Sequence, residues 1–285
     1  MKFDLFFIFT PISYVLASSY IKENHNKVFV FYGPRLKLFK FNYCLSIEYN
    51  PLYILVFFPI FLLLSKLKVL RIWLPHNGSR VLKLINNHCL VNYFVDDGTS
   101  AIIGIKANMS LDKYNYLLTF RDYKNDNSDV QFISGVTINY YLSTLNSYKA
   151  KNFNINSFKS EICVIQSYSI SSKIWDSIIK RYTDDQITCF LHPINFKNRN
   201  IPTQVKNRVH SLPESLDCYS NDLRCFQEIY IGRSFTAIAL LNTSSLNDSI
   251  INVCLDLKND HLDKKFFLFL KKYYYYKKNL NYIIL

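Results

Sequence analysis

The chain is poor in glycine, with six in 285 residues, and its seven cysteines never fall into a Cys-x-x-Cys spacing. Odd in number and scattered from Cys44 to Cys254, they offer neither a disulfide framework nor a zinc site. Most lie in apolar runs and read as small core residues. The histidines His25, His76, His88, His210 and His261 show no metal-ligand spacing among themselves. No repeat recurs at a fixed period. Zinc-finger spacing, a helix-turn-helix signal and an aromatic RNP-like string are all missing, so nucleic acid is not an expected partner. The longest apolar run, Leu52 to Leu64, contains Pro59 and falls well short of the roughly 20 residues that cross a bilayer. It reads as a buried helix, or at most an interfacial one. The opening Met1-Lys2-Phe3-Asp4 has one basic residue and an early acid, and no small-residue cleavage site follows Phe6 to Phe9. That is poor for a signal peptide, and a reducing, cytoplasmic setting is the expectation.

Hydrophobic residues make up 49% of the chain, which argues for a folded protein, and the length admits two domains with separate cores. Lysine and arginine outnumber aspartate and glutamate by 34 to 21, a net charge of +13. Such a balance favours anionic partners, whether a nucleotide sugar, a membrane surface or nucleic acid. The wealth of Asn, Lys, Ile, Phe and Tyr matches the drift of an AT-rich genome, so part of the lysine excess is discounted.

Short apolar runs alternate with helical spacing. Phe3 to Phe9 reads as a strand, followed by Thr10-Pro11 and a helix carrying Tyr14, Val15, Ala17, Tyr20 and Ile21. Lys27 to Tyr32, Val69 to Leu74 and Leu90 to Val95 are further strands, with a helix over Tyr53 to Leu67. This alternation predicts βαβ units and a parallel sheet. Asp122 to Asp129 is a polar loop, and Ser147 to Lys159 is the best linker candidate. The pattern restarts with Glu161 to Ile170 as strand, Ile174 to Tyr182 as helix and Ile187 to Leu191 as strand. The expected division is residues 1–155 and 156–285, each an α/β domain. Val209 to Leu212, Glu228 to Ile231, Ala237 to Leu241 and Ile251 to Leu255 could each add a strand, though such short runs fit strand or helix. The tail Lys264 to Lys278 interleaves basic and aromatic residues. It fits a helix packed on the body with its lysines in solvent, and equally a peripheral contact with an anionic leaflet.

Two strings place ionisable groups where a buried strand would leave a sheet: Asp96-Asp97-Gly98 after Leu90 to Val95, and His192-Pro193 after Ile187 to Leu191. Ligands of open α/β sheets bind outside the carboxyl ends of the strands. Adjacent carboxylates on an extended segment point to opposite sides, so one suits a general base in a cleft while the other holds the loop. Gly98 permits a positive φ, and Thr99-Ser100 offers an N-cap for a helix over Ala101 to Ile105. Asp-Gly is also a common turn dipeptide. Pro193 biases His192 toward extended geometry, which aims an imidazole that can serve a phosphate oxygen or simply cap the strand. His76, after Trp73-Leu74-Pro75, is a further cleft candidate. In Tyr230 to Ile238, Gly232 allows close approach and the hydroxyls of Ser234 and Thr236 near a helix start could cradle a phosphate, or cap the helix.

Taken in order, Phe9-Thr10-Pro11, Asp96-Asp97-Gly98, Val164-Ile165-Gln166, His192-Pro193 and Gly232 to Ile238 resemble the bacterial sialyltransferases of the lipooligosaccharide and polysialic-acid capsule type. The resemblance implies a GT-B architecture of two Rossmann-like domains with parallel sheets facing a central cleft. It also implies direct, inverting transfer from CMP-sialic acid to a glycan or glycolipid acceptor, with no metal or other cofactor. Asp96 or Asp97 would deprotonate the acceptor hydroxyl. His192 would bind or protonate the CMP phosphate, Thr236 with Ser234 would hold it, and Thr10, Pro11, Gly98, Gln166, Pro193 and Gly232 would line the substrates. Two positions depart from the family pattern: Thr-Pro-x-Gln is here Thr10-Pro11-Ile12-Ser13, and the usual Ser-Ser falls on Phe235-Thr236. Competing readings are a GT-B enzyme with another nucleotide-sugar donor, and a basic non-catalytic protein that binds membrane or nucleic acid.

Overall fold

A computed structural model describes residues 2–24, 27–37, 39–75, 80–89, 93–96, 98, 116–122, 131–149, 153–166, 170–191, 201–211, 215–243 and 249–285. The chain divides into two compact units, Met1–Thr144 and Leu145–Leu285.

In the first unit the strands are β1 (Phe3–Ile8), β2 (Lys27–Tyr32), β3 (Leu45–Glu48), β4 (Leu70–Pro75), β5 (Tyr93–Val95), β6 (Tyr116–Thr119) and β7 (Gln131–Ser134). They form one all-parallel sheet in the order β3-β2-β1-β4-β5-β6-β7. Its helices are α1 (Pro11–Asn24), α2 (Pro51–Lys66), α3 (Arg80–His88) and α4 (Ile138–Asn146). β1 is apolar almost throughout because a parallel strand is covered on both faces. Alternation then sorts its side chains. Leu5 and Phe7 join Ile54 of α2 and Ile72 and Leu74 of β4 in one core, while Phe6 stacks on Trp73 at 4.9 Å, with Tyr20 of α1 beside that indole. Within that second layer the buried Asp4 accepts from Arg71 and, at 2.9 Å, from Trp73 Nε1, so the buried carboxylate is paired and hydrogen-bonded. Burial first, and the Asp4 charge second, push the Tyr20 phenol up to about 12, so it remains neutral.

The second unit holds β8 (Ile162–Gln166), β9 (Ile187–Leu191), β10 (Val209–Ser211), β11 (Glu228–Ile231), β12 (Ile250–Leu255) and β13 (Leu280–Ile284). Again all pairs are parallel, in the order β10-β9-β8-β11-β12-β13. Its helices are α5 (Ser172–Arg181), α6 (Phe235–Asn242) and α7 (His261–Tyr274). α5 is amphipathic and buries Ile174, Trp175 and Ile178. α6 is buried on nearly every side, which is why its sequence is apolar all round.

Several expectations meet the structure directly. β2, β9 and β11 occupy the residues read as strands, and Ala237 to Leu241 is helix, decided by the Ser234 cap rather than by the apolar run. In the tail, α7 buries Phe266, Phe269, Leu270 and Tyr274 while Lys264, Lys265, Lys271 and Lys272 are exposed, and β13 completes the sheet edge. Ile155, inside the linker candidate, is buried. The run Leu52 to Leu64 departs from expectation. The helix forms, capped by Asn50 with Pro51 in its first turn, yet only Ile54 and Ser65 are buried in it. A helix apolar on all sides carries no signal of which side will find a partner, and here one stripe alone meets the sheet. No helix among the described residues is long and apolar enough to cross a membrane.

Cys89, Cys163, Cys189, Cys218 and Cys254 are buried, whereas Cys44 is half-buried and Cys225 exposed. Burial pushes the thiols of Cys189 and Cys254 up to about 12, far from reactive thiolate at neutral pH. A disulfide-exchange reagent at pH 8 should therefore modify Cys44 and Cys225 in the native protein and the remaining five only after denaturation. Rapid modification of all seven in native buffer would contradict this packing.

Candidate functional site

Both sheets share one order of construction. The first strand of each has its second and third strands on one side and its fourth on the other. That reversal is the topological switch point, where loops diverge and leave a crevice at the carboxyl edge. It falls between β1 and β4 in the first unit and between β8 and β11 in the second.

At the first switch point, β1 runs through Phe9 into Thr10 and Pro11. Thr10 caps α1 reciprocally with Ser13. The Ser13 amide donates to Thr10 Oγ1 at 3.3 Å, the Thr10 amide donates to Ser13 Oγ at 3.2 Å, and the two hydroxyls lie 3.0 Å apart. Ser13 thus fills the role that a longer Glu or Gln plays in a capping box. Pro11 occupies the first helical position, where its missing N–H costs nothing.

Two strands away, Asp96 follows β5 directly, and its amide continues the ladder by donating to Leu118 O at 2.9 Å. Its carboxylate is fully buried and engaged at both oxygens. Thr119 Oγ1 donates to Oδ2 at 2.8 Å, and the Gly98 amide donates to Oδ1 at 2.9 Å. The Gly98 backbone has φ 152°, a conformation that favours glycine, and no atom lies within 4 Å of where a Cβ would stand. Asp96 therefore clamps the loop that leaves β5. Asp97, Thr99, Ser100, the helix expected over Ala101 to Ile105, and His76 lie outside the described residues.

In the second unit the register sets Gln166 at the end of β8 beside Leu191 at the end of β9, and Ile165 beside Ile231 of β11. Gln166 is buried; its Oε1 accepts from Trp175 Nε1 at 2.8 Å and its Nε2 donates to Ile170 O at 3.2 Å. The amide closes the turn from β8 into α5. Gly232, also buried, leads from β11 to Ser234, the N-cap of α6, whose Oγ accepts from the Ala237 amide at 3.3 Å. Thr236 Oγ1 donates to Asp217 Oδ1 at 2.6 Å, both residues being buried. Arg233 is held by Asp263 at 2.8 Å and Asp260 at 3.2 Å, which fixes the start of α7 against this corner. His192 and Pro193, which follow β9, are outside the described residues, as is the loop 192–200.

The hydroxyl inventory separates two residues that the sequence treats alike. A serine or threonine has one proton to donate. Thr236 spends it on Asp217, and a carboxylate already sits at that end of the helix, where it meets the positive pole of the backbone dipoles. Ser234 uses a lone pair for its cap, which leaves its proton for an incoming acceptor. One strand beyond β9, His210 packs against Phe158 and Phe190 at 4.6 and 6.0 Å, and burial together with Arg208 lowers its pKa, so it is neutral at pH 7. Among the described residues no group of three His, Cys, Asp or Glu could hold a metal. Sequence reading missed Thr119 and Asp217, the partners that decide what Asp96 and Thr236 do; each lies about twenty residues from the group it binds, in a segment with no motif of its own.

No protein-family model and no curated protein matches the sequence. Solved structures do match over nearly its whole length. One is an alpha/beta-galactoside alpha-2,3-sialyltransferase from the luminous marine bacterium Photobacterium phosphoreum, with TM-score 0.50 and 9% identity over 99% of this chain and 98% of that one. Another is the glycotransferase of kitacinnamycin, with TM-score 0.51 and 8% identity over 99% of this chain and 86% of that one. At such identity the likeness is one of fold. The fold is α/β of the GT-B glycosyltransferase type, two Rossmann-like units each built on a parallel sheet.

Proposed function

We propose that this chain is an inverting, metal-independent glycosyltransferase that moves sialic acid from CMP-sialic acid to a hydroxyl of a cell-surface glycan or glycolipid. It resembles in this the bacterial lipooligosaccharide and capsular sialyltransferases. The observation that carries the reading is positional. Thr10, Asp96, Gln166 and the Gly232–Thr236 corner, noted in the sequence as separate strings, all fall at carboxyl ends of parallel strands, three of them at the two switch points. A GT-B neighbour that acts as a sialyltransferase supports the same class.

In this mechanism Asp97 takes the acceptor proton as its oxygen attacks the anomeric carbon, because Asp96 is committed to Thr119 and Gly98. The bond to the CMP phosphate breaks as the new glycosidic bond forms, through a transition state of oxocarbenium character. His192 and Ser234 meet the charge that grows on the departing phosphate, one by imidazole and one by hydroxyl at the start of α6. Thr10 keeps the turn at the first unit's switch point in place, and Gln166 and Thr236 keep those at the second unit's.

The test is the purified chain with CMP-sialic acid and a galactose-ended acceptor in the presence of EDTA. Sialylated product, or slow release of free sialic acid, is expected, together with a thermal shift by CMP that exceeds those by UDP and GDP. A shift by UDP or GDP in place of CMP would move the donor to another nucleotide sugar, and no turnover with any donor would remove the enzymatic reading.

A further inference from the structure

We infer that the outer face of α2 and the edge strand β3 form a docking surface for an anionic lipid bilayer. α2 carries no acid, and it presents large apolar side chains to solvent, among them Leu52, Val56 and Leu63 at 68, 71 and 59% exposure. Its stripe of Ile54, Phe58 and Phe61 packs on the sheet. β3 is exposed at every position, with Leu45 at 70%. Between helix and strand lies a groove of about 750 Å³ lined by Phe29, Tyr43, Leu45, Ile47, Tyr53 and Phe57. Contiguous apolar surface of this kind marks a site that something covers.

Charge selects the occupant. The register that sets Phe3 beside Lys27 and Leu70 gathers Lys2, Lys27 and Lys68 at the amino edge of the sheet, where α2 ends in Lys66. All four are exposed, and Lys27 lines the groove itself. The acids of the neighbouring strands are occupied: Asp4 is buried against Arg71, and Glu48 pairs with Lys37 at 3.1 Å. An apolar face rimmed by lysines, whose acids are the Glu48 of β3 already paired with Lys37 and the buried Asp4 already paired with Arg71, is suited to lie against the headgroup layer with its cations on the lipid phosphates. A second copy would have to set acids against these lysines, but α2 carries none and the one on β3, Glu48, is already paired with Lys37.

Flotation of the full chain with vesicles distinguishes the occupants. Binding to phosphatidylcholine mixed with phosphatidylglycerol should exceed binding to phosphatidylcholine alone and fall with salt. The Lys27→Gln, Lys66→Gln pair should weaken it by about fivefold per lysine. Val56→Asp with Leu63→Asp should abolish it, with the far-UV spectrum and melting temperature kept because both side chains are exposed. Lys271→Gln with Lys272→Gln, in the second unit, should leave it unchanged. Loss of binding in that last variant but not in the α2 variants would assign docking to the tail and overturn the proposal. So would vesicle binding absent from the wild type, or a lipid-free dimer that Val56→Asp converts to monomer. These results are independent of the transfer assay, so the surface and the activity stand or fall separately.

Discussion

Replacing Asp97 by asparagine should lower kcat for sialyl transfer by about 10²–10⁴, the contribution of a positioned general base, while the melting temperature stays within about 1 °C of the wild type. Asp96→Ala should behave in the opposite way. Its carboxylate is fully buried and accepts from Thr119 and from the Gly98 amide, so truncation strands the buried Thr119 hydroxyl at a cost of about 1–3 kcal/mol and frees the half-buried Gly98 amide at a smaller one. In a protein of this size each kcal/mol lowers the melting temperature by about 2–4 °C. Asp96→Asn tests the same point more gently, since the amide retains one acceptor for the Thr119 hydroxyl but places an NH₂ where a lone pair stood. Paired measurement of turnover and thermal unfolding checks the assignment. Full turnover in Asp97→Asn, or a stable Asp96→Ala that has lost only turnover, would exchange the two roles.

The second large effect concerns the leaving group. His192→Ala should reduce kcat by about 10²–10³, the usual loss when one group that meets developing negative charge is removed. His192 directly follows Leu191, which the register sets beside Gln166 at the carboxyl edge, one strand from the switch point. The loss should be larger for CMP-sialic acid than for an activated donor whose leaving group needs no protonation, since such a donor bypasses the imidazole. Stability should change little in this variant. Equal losses for both donors would limit His192 to binding, and an unaltered kcat would exclude it from the reaction.

The two-unit parallel architecture was legible in the chain because burial on both faces writes itself into near-continuous apolar runs, as in Phe3 to Ile8 and Ile187 to Leu191. The end of the run Leu90 to Val95 located Asp96 at the carboxyl edge, since a parallel strand delivers its last residue there by direction alone. By contrast, reading Glu161 to Ile170 as one strand puts Gln166 inside it, and the structure ends that strand, β8, at Gln166 itself. Less was readable where elements are short or exposed. β3, β6 and β7 have four residues each, and all four of β3 face solvent, so neither run length nor alternation announces them.

Local sequence thus determined that the longer apolar runs, such as Phe3 to Ile8 and Ile187 to Leu191, become strands of parallel sheets, because backbone periodicity depends on neighbours within a few residues. Tertiary structure alone decided what the polar groups near the strand ends do. Asp96 became a clamp through Thr119, Gln166 a turn closure through Trp175, and Thr236 a donor to Asp217, each through a partner nine to 23 residues away. It alone also decided that α2 turns most of its apolar surface outward. A side chain's hydrogen-bond capacity is written in its own letter, but its spending depends on which distant segment packs against it.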